Sequence, residues 1–485
     1  MTVTGIGAAR PHRLSDAALA ALGAGRPGPG VLDELRRVRM SRHLLLLRQI
    51  AALAGTACLR ELSAAETTHP ARTRALLDRP LFGVWAAGCL TALRDGASPE
   101  AAGVGHLTEL AARARIPRPR QAERLLTAAH DGLSISVRLE DSDPLRARLG
   151  LTPTPPLSEA GAARWQAAFT EAWRLLVDRV RPDAEVLSRV LDCVVPVETD
   201  PAARGISATS VHAYGAVAIS EPADPAALAV GLLHEANHSI LNAVLYLFDL
   251  LEAPDTPGYS PWRDDPRPAS GILHGAYAYL TVTRFWRTRP EDPLARFEFA
   301  RWRAAVAAAA EGLTGLTPAG ERFVGSLLDE VRPWLAEPVG PDVLRLAEGA
   351  NRDHHLRWRL RNLRVDPADA AALARAWRRG ERPPPVTARL HRAPRRALEA
   401  SARLDLAHRL LRGLPLEGSA GDLAYVRGDH GAALRAYREN RGDRTDWAGL
   451  LLVSGVPVAP EVAAAAGAAL GADRPDPLAI VNWLS

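Results

Sequence analysis

The sequence predicts a mainly α-helical protein with a small β element, an α+β fold. Of its 485 residues, 47% are hydrophobic but only 5% are aromatic. Alanine and leucine must therefore supply much of the core, and both rank among the strongest helix formers. Two short runs, CVVPV at 193–197 and VHAYGAVAIS at 211–220, interrupt the helical pattern and are predicted to be strands.

The first part of the chain is predicted to be helical as far as residue 150. Residues 1–30 are rich in Gly, Ala and Pro and are expected to form a loosely held arm or a short helix. A long helix begins at Val31 and ends near Gly55, and further Ala/Leu helices follow. The segment GLTPTPP at 150–156 cannot be helical throughout, because proline removes a donor and restricts its neighbour. It marks a domain boundary.

The rest of the chain is predicted to hold two more domains. Helices continue to about Arg364, and the Arg-Pro-Pro-Pro run at 382–385 is the best linker candidate. Beyond it, residues 421–440 resemble one helix hairpin of the tetratricopeptide type, although a single copy does not establish a repeat array. The predicted domains are an N-terminal helical domain at 1–150, a catalytic domain at 151–375 and a C-terminal helical domain at 390–485.

Composition argues against several classes of function. The net charge is +5, but the basic residues are all arginine and no basic run is interleaved with aromatics, so a nucleic-acid partner is not expected. The three cysteines, Cys58, Cys89 and Cys193, have no metal-site or disulfide spacing and suit a reducing compartment. No signal-like or 18-residue apolar segment is present, so a cytoplasmic protein without a membrane partner is expected.

The clearest chemical motif is His234-Glu235-Ala236-Asn237-His238, inside a helix predicted from Ala226 to Phe248. Asp224 is a suitable N-cap for this helix and Pro225 suits its first turn. Histidines four residues apart lie on one face of a helix, where two imidazoles can bind one divalent ion. The alternative is a pair of hydrogen-bonded histidines in the core, since the flanking residues are apolar.

A third ligand must come from elsewhere, and its identity decides the chemistry. Asp249 and Glu252 lie too far along the same helix unless that helix ends early. His274 is the better candidate, because it begins a second helix, from Ser270 to Trp286, after a Pro- and Asp-rich loop at 255–268. It could instead be a solvent-facing residue of a first turn. Near its face, at steps of three to four, are Tyr277, Thr281 and Arg284. Three imidazoles suit zinc hydrolysis and also non-haem iron.

The chain resembles the HExxH-motif proteins of bacterial ribosomal-peptide (RiPP) gene clusters, described as 2-oxoglutarate-dependent peptide β-hydroxylases. The resemblance is carried by the following segments: PHRLS at 11–15, SRHLLLLRQ at 41–49, the short strand at 215–220, LLHEANHSILNA at 232–243, LHGAY at 273–277 and RFW at 284–286. It implies a metal helix of the zincin-like kind inside a multi-helical protein, rather than a jelly roll.

The resemblance also implies a reaction and its participants. Fe(II), held by His234, His238 and His274, would bind 2-oxoglutarate and dioxygen, and a peptide β-carbon would be hydroxylated with release of succinate and CO2. Arg284 is the first choice for the distal carboxylate of 2-oxoglutarate, with Arg303 and Arg301 in reserve. Glu235 would orient a ligand or a water. The partners it implies are a ribosomal precursor peptide and a radical-SAM maturase.

Two other functions remain open at this point. One is a zinc metallopeptidase in which Glu235 is the general base. The other is a non-catalytic scaffold that docks a peptide or a maturase. For the peptide hydroxylase, the strand at 211–220 is a hypothetical site for strand addition by the substrate.

Overall fold

The computed structural model describes residues 11–116, 124–200, 205–252, 257–391, 401–439, 444–471 and 475–485. The helices are α1 Asp16–Gly23, α2 Pro29–Ala54, α3 Arg60–Thr68, α4 Pro70–Leu77, α5 Pro80–Arg94, α6 His106–Arg115, α7 Glu159–Val190, α8 Pro225–Val244, α9 Ala269–Arg287, α10 Pro293–Glu311, α11 Pro318–Leu335, α12 Pro341–Asn362, α13 Pro367–Arg379, α14 Ala402–Leu411, α15 Ala420–Arg427, α16 His430–Glu439, α17 Arg444–Ser454, α18 Pro460–Leu470 and α19 Pro477–Leu484. The strands are β1 Leu125–His130, β2 Leu133–Leu139, β3 Cys193–Val197, β4 Ser207–Ala208, β5 Ala216–Ser220, β6 Gly258–Ser260, β7 Arg263–Arg267, β8 Leu363–Val365 and β9 Ala388–Leu390. The predicted α+β class is confirmed.

The chain divides into two compact units whose segments alternate along the sequence. The first unit comprises Met1–Glu252, Tyr277–Thr288 and Gly315–Glu330. The second comprises Ala253–Ala276, Arg289–Thr314 and Val331–Ser485. The three sequence-predicted domains remain predictions.

A five-stranded mixed sheet lies in the first unit, in the order β1-β2-β3-β5-β4. β2, β3 and β5 are parallel, whereas β1 and β4 run antiparallel to their neighbours. Every residue of β3 and β5 is buried, as expected for central strands covered on both faces. The strand predicted at 193–197 is present as β3, whereas the one predicted at 211–220 is present only over Ala216–Ser220, as β5, because residues 211–215 form turns up to Gly215, which has positive φ.

The β1–β2 hairpin contradicts the prediction of continuous helices up to residue 150. Its turn is Asp131-Gly132, and both residues have positive φ, 44° and 74°, which are the signs that a two-residue type I′ turn requires. The strands alternate between buried and exposed positions. The Ala- and Leu-rich first strand, LLTAAH, has helical composition, but the turn and the alternation decide its conformation.

Two glycines permit close packing around β5, Gly215 against the end of α7 and Gly231 of α8 against the sheet. Gly215 precedes β5 with φ 89°, and a Cβ there would lie 2.7 Å from the Val190 carbonyl oxygen. Gly231, in α8, faces Ile219 of β5, and a Cβ would lie 2.6 Å from its Cδ1. Asp224 caps the helix as predicted, accepting from Ala227 N at 2.8 Å. Because Gly231 is one turn before His234, this packing sets the height of the motif above the sheet.

Other helix predictions need small corrections. The helix predicted from residue 158 continues to Val190, with a non-helical Val180 next to Pro182. α9 begins at Ala269, so Ser270 lies inside the first turn and is not the N-cap. The segment predicted as a loop at 255–268 contains the β6–β7 hairpin, although residues 253–256 lie outside the described residues.

The second unit is built around helices α10 and α12 to α19. Their buried side chains form one apolar cluster that includes Trp447, Leu451 and Ile480. The predicted hairpin at 421–440 is present as α15 and α16. Across the described residues, no single helix is long and apolar enough to cross a membrane; α4 and α5, bent by 70°, satisfy that test only as a pair.

Candidate metal centre

The two histidines of the motif lie side by side on α8. Nε2 of His234 is 3.1 Å from Nε2 of His238, and the two rings are nearly perpendicular, at 87°. Two nitrogens that bind one ion at about 2.1 Å are separated by roughly 3 to 3.5 Å. The observed separation therefore fits a shared ion, and it also permits a hydrogen bond between one protonated and one unprotonated ring nitrogen.

Glu235 completes a group of three potential ligands. One carboxylate oxygen of Glu235 and one ring nitrogen of each histidine all lie within 4.8 Å of one another. Glu235 is 2% exposed, and its Oε1 accepts from Ser207 Oγ of β4 at 2.6 Å. In the described part of the chain, Oε2 is buried without a hydrogen-bond partner.

This unpartnered oxygen is the strongest sign that the centre holds a ligand. A buried carboxylate oxygen without a partner is unfavourable, and an ion or a water bound to it would satisfy it. The donor set of two imidazoles and one carboxylate suits a divalent transition metal. The residues present therefore fit a metal ion.

Burial sets the protonation of the centre. It lowers the pKa of His234 to about 4, so this ring is neutral near pH 7 and can donate a lone pair. Burial raises the pKa of Glu235 to about 7, and the Ser207 hydrogen bond opposes that rise. Glu235 is thus close to the pKa that proton transfer at neutral pH requires.

Asn237, the fourth residue of the motif, joins α8 to α9 by two hydrogen bonds. Nδ2 of Asn237 donates to the Tyr277 carbonyl oxygen at 3.0 Å and to Thr281 Oγ1 at 2.8 Å. Between these two positions, the Tyr279 ring lies 5.1 Å from the His234 ring at an angle of 80°. Sequence reasoning missed Ser207, Asn237 and Tyr279, because none of them belongs to a recognised ligand spacing.

The third ligand remains a prediction. His274 lies on α9 in the residues of the second unit, and burial, with a smaller effect from Arg267, lowers its pKa to about 4. α8 ends at Val244, earlier than predicted. Asp249 and Glu252 follow it in a segment whose backbone bonds to residues 315–317, and neither joins the ligand group found among the described residues.

The predicted 2-oxoglutarate arginines have partners within the protein. Arg284 is 5% exposed; its Nη1 donates to Asp183 Oδ1 at 2.5 Å, and its Nη2 donates to Glu330 Oε1 at 3.2 Å and Ala24 O at 2.9 Å. A cofactor carboxylate would have to compete with these groups, and the assignment to Arg284 remains a prediction.

The two reserve arginines lie in the second unit. Arg303 donates to the carbonyl oxygens of Trp334 and Glu337, at 2.6 and 2.8 Å, and stacks over Phe299. Arg301 lies over the Trp302 ring, with its guanidinium carbon 4.2 Å from the ring centre. The hydrogen bonds of Arg303 account for its burial, and a cofactor role for either arginine is a prediction.

The hypothesis that the substrate pairs with the strand at 211–220 is wrong. Within that segment β5 is an inner strand, bonded to β3 on one side and to β4 on the other. β4 is the outer strand of the described sheet, and it carries Ser207, the partner of Glu235.

No family model matches the chain, and no curated protein matches it.

Proposed function

We propose that this protein is a metal-dependent enzyme, and specifically an Fe(II)- and 2-oxoglutarate-dependent β-hydroxylase of a ribosomal precursor peptide. The observation that carries the metal assignment is the 3.1 Å approach of His234 Nε2 and His238 Nε2 beside the buried Glu235. The oxygenase assignment rests on the resemblance of the motif and its flanking segments to the RiPP hydroxylases. A maturase partner is part of the same proposal.

In this proposal the chain's own residues hold and shield the metal. His234 and His238 bind the ion, and burial keeps the His234 ring neutral. When bound, Fe(II) with 2-oxoglutarate and dioxygen supplies the oxidising power that a peptide C–H bond requires. Glu235, fixed through Oε1 by Ser207, turns its other oxygen to the ion or its water and sets their orientation.

The cofactor and the peptide each need a binding element. Arg284 would pair with the distal carboxylate of 2-oxoglutarate, which requires one guanidinium N–H of Arg284 to leave Asp183 or Glu330. The peptide would lie extended along the outer edge of β4, beside the Ser207–Glu235 contact.

Anaerobic reconstitution tests the proposal. Protein loaded with Fe(II) and given 2-oxoglutarate should bind it, and admission of air should release succinate. With a precursor peptide encoded beside its gene, the peptide should gain about 16 mass units. The His234→Ala variant is the control and should release no succinate above background. Metal-loaded protein that neither binds 2-oxoglutarate nor releases succinate would exclude the oxygenase.

A zinc metallopeptidase is the second candidate, and one observation favours it. Glu235 combines an unpartnered buried oxygen with a pKa raised to about 7 by burial, as a general base for water attack would. In the same assay this candidate predicts that Zn²⁺ supports peptide cleavage, without succinate and without added mass.

A further inference from the structure

The Tyr279 ring packs against His234, one of the two histidines of the metal motif, and is not part of the hydrophobic core. Its ring makes an edge contact with His234, with centroids 5.1 Å apart and an interplanar angle of 80°. It is partly exposed, whereas the neighbouring residues Ala278 and Leu280 are fully buried. The phenol therefore occupies the same half-open side of α8 as the partly exposed histidines.

The position of Tyr279 is fixed by two hydrogen bonds that flank it on α9. The single amide of Asn237, 4% exposed, donates to Tyr277 O and to Thr281 Oγ1. These acceptors are one turn apart, so both bonds form only in one register of α9 against α8. Tyr279 is midway between them in the sequence, and its contact with His234 follows from that register.

Distances permit the phenol to act at the metal. A phenol oxygen stands roughly 3 Å from its ring centre, and an ion bound to imidazole lies about as far from the imidazole centre. With the two ring centres 5.1 Å apart, these lengths allow the hydroxyl to bond a water or substrate atom on the ion when the phenol is turned to that side of His234. A phenol hydroxyl can donate a hydrogen bond as well as accept one.

We propose that Tyr279 is a further residue of the metal centre, whose hydroxyl donates a hydrogen bond to a ligand of the ion, and that Asn237 is the positioning residue that holds it there. The inference rests on the metal site of the proposed function, but not on the choice between oxygenase and peptidase. Packing of the phenol ring on His234 without use of the hydroxyl is the alternative.

Metal binding by the full-length protein tests the hydroxyl. Co²⁺ is titrated into metal-free protein, with affinity measured by calorimetry and the ligand field by the visible spectrum. Tyr279→Phe keeps the ring and removes only the hydroxyl, so affinity should fall about 10- to 100-fold and the spectrum should change. Tyr277→Phe is the matched control on the same helix, since that ring packs on Phe323, and it should bind Co²⁺ like the wild type.

Two matched threonine variants test the positioning role of Asn237. Thr281→Val removes one acceptor of Asn237, whereas Thr283→Val removes a hydroxyl that only bonds along α9, to Tyr279 O at 2.6 Å. Both threonines are buried, at 3% and 0% exposure. We expect the Co²⁺ spectrum to change in the first variant and to stay as in the wild type in the second.

The outcomes separate this inference from the proposed function. If Tyr279→Phe binds Co²⁺ with wild-type affinity and spectrum, the hydroxyl has no role at the ion and the inference is overturned. If wild-type protein binds Co²⁺ and Tyr279→Phe weakens it while Fe(II) protein releases no succinate, the oxygenase fails and the inference stands. A wild-type protein that binds no divalent ion overturns both.

Discussion

Replacement of Arg284 separates a structural role of this side chain from a cofactor role. Arg284→Met removes the guanidinium but keeps much of the side-chain volume. Glu330 retains Arg26 as a partner, at 2.7 Å, whereas Asp183 loses the 2.5 Å bond from Nη1. Asp183 is 5% exposed, so its carboxylate would be left in a dry environment.

The expected loss of stability follows from that burial. Two unit charges about 4 Å apart attract by about 4 kcal/mol at an effective dielectric constant of 20. Breaking one side of a buried ion pair costs about 3 to 5 kcal/mol in measured cases. Burial already raises the pKa of Asp183 and Arg284 lowers it, so without the arginine the carboxyl would take up a proton, which limits the penalty.

Thermal melting and a double variant provide the assay. At about 2 °C per kcal/mol for a chain of this size, Arg284→Met should lower Tm by about 6 to 10 °C. The double variant Asp183→Asn with Arg284→Met removes the buried charge as well, and it should recover about half of that loss. A single variant that melts within 2 °C of the wild type would refute the ion-pair argument. If the double variant then binds 2-oxoglutarate as tightly as the wild type, Arg284 is not the cofactor residue.

Four further predictions concern the metal helix and the second unit. Divalent metal at 100 times Kd should stabilise wild-type protein by about 2.7 kcal/mol in a melting assay and should leave His234→Ala unchanged. Glu235→Gln should still bind metal in calorimetry, but it should lower peptide cleavage at least about 100-fold if the enzyme is a peptidase. Gly231→Ala should change the free energy of unfolding by less than about 1 kcal/mol, because its Cβ would meet only Cδ1 of Ile219, the end of a flexible side chain, at 2.6 Å, and alanine favours the helix over glycine. In the second unit, burial alone would raise the pKa of Asp353. The charges of Arg403 and Arg357 outweigh that effect and bring the pKa of Asp353 below its ordinary value. The ionised carboxylate therefore adds stability above the ordinary carboxyl pKa, and melting curves should show that stability lost as pH falls through the lowered pKa.

The sequence predicted those parts of the fold that depend on local signals. The Asp224 cap, the span of α2 and the central strands β3 and β5 follow from capping residues, apolar periodicity and β-branched composition. The sequence does not predict the β1–β2 hairpin although Asp131-Gly132 is a local turn signal, because the alanine and leucine residues around that turn favour a helix.

In the candidate site, too, the sequence predicts only what local spacing determines. Helical spacing alone brings His234 and His238 together, and their nitrogens do meet at 3.1 Å. The contacts of Glu235 with Ser207 and of Asn237 with α9 join residues 28 to 44 positions apart. No periodicity within one helix encodes such pairs, because they depend on how the sheet and the next helix pack around α8.

The packing of α8 also places the two histidines of the metal motif near the edge of the sheet. Gly231 of α8 faces β5, and Glu235, on the next turn of the helix, accepts a hydrogen bond from Ser207 of the outer strand β4. A peptide added along β4 would therefore lie next to the residue that orients the proposed metal ligand, and its main chain would be aligned before any side chain is selected. An extended peptide bound there is part of the proposed function. Binding of the peptide should accordingly tighten the hold of Ser207 on Glu235, and in the Ser207→Ala variant peptide addition should no longer alter the Co²⁺ spectrum.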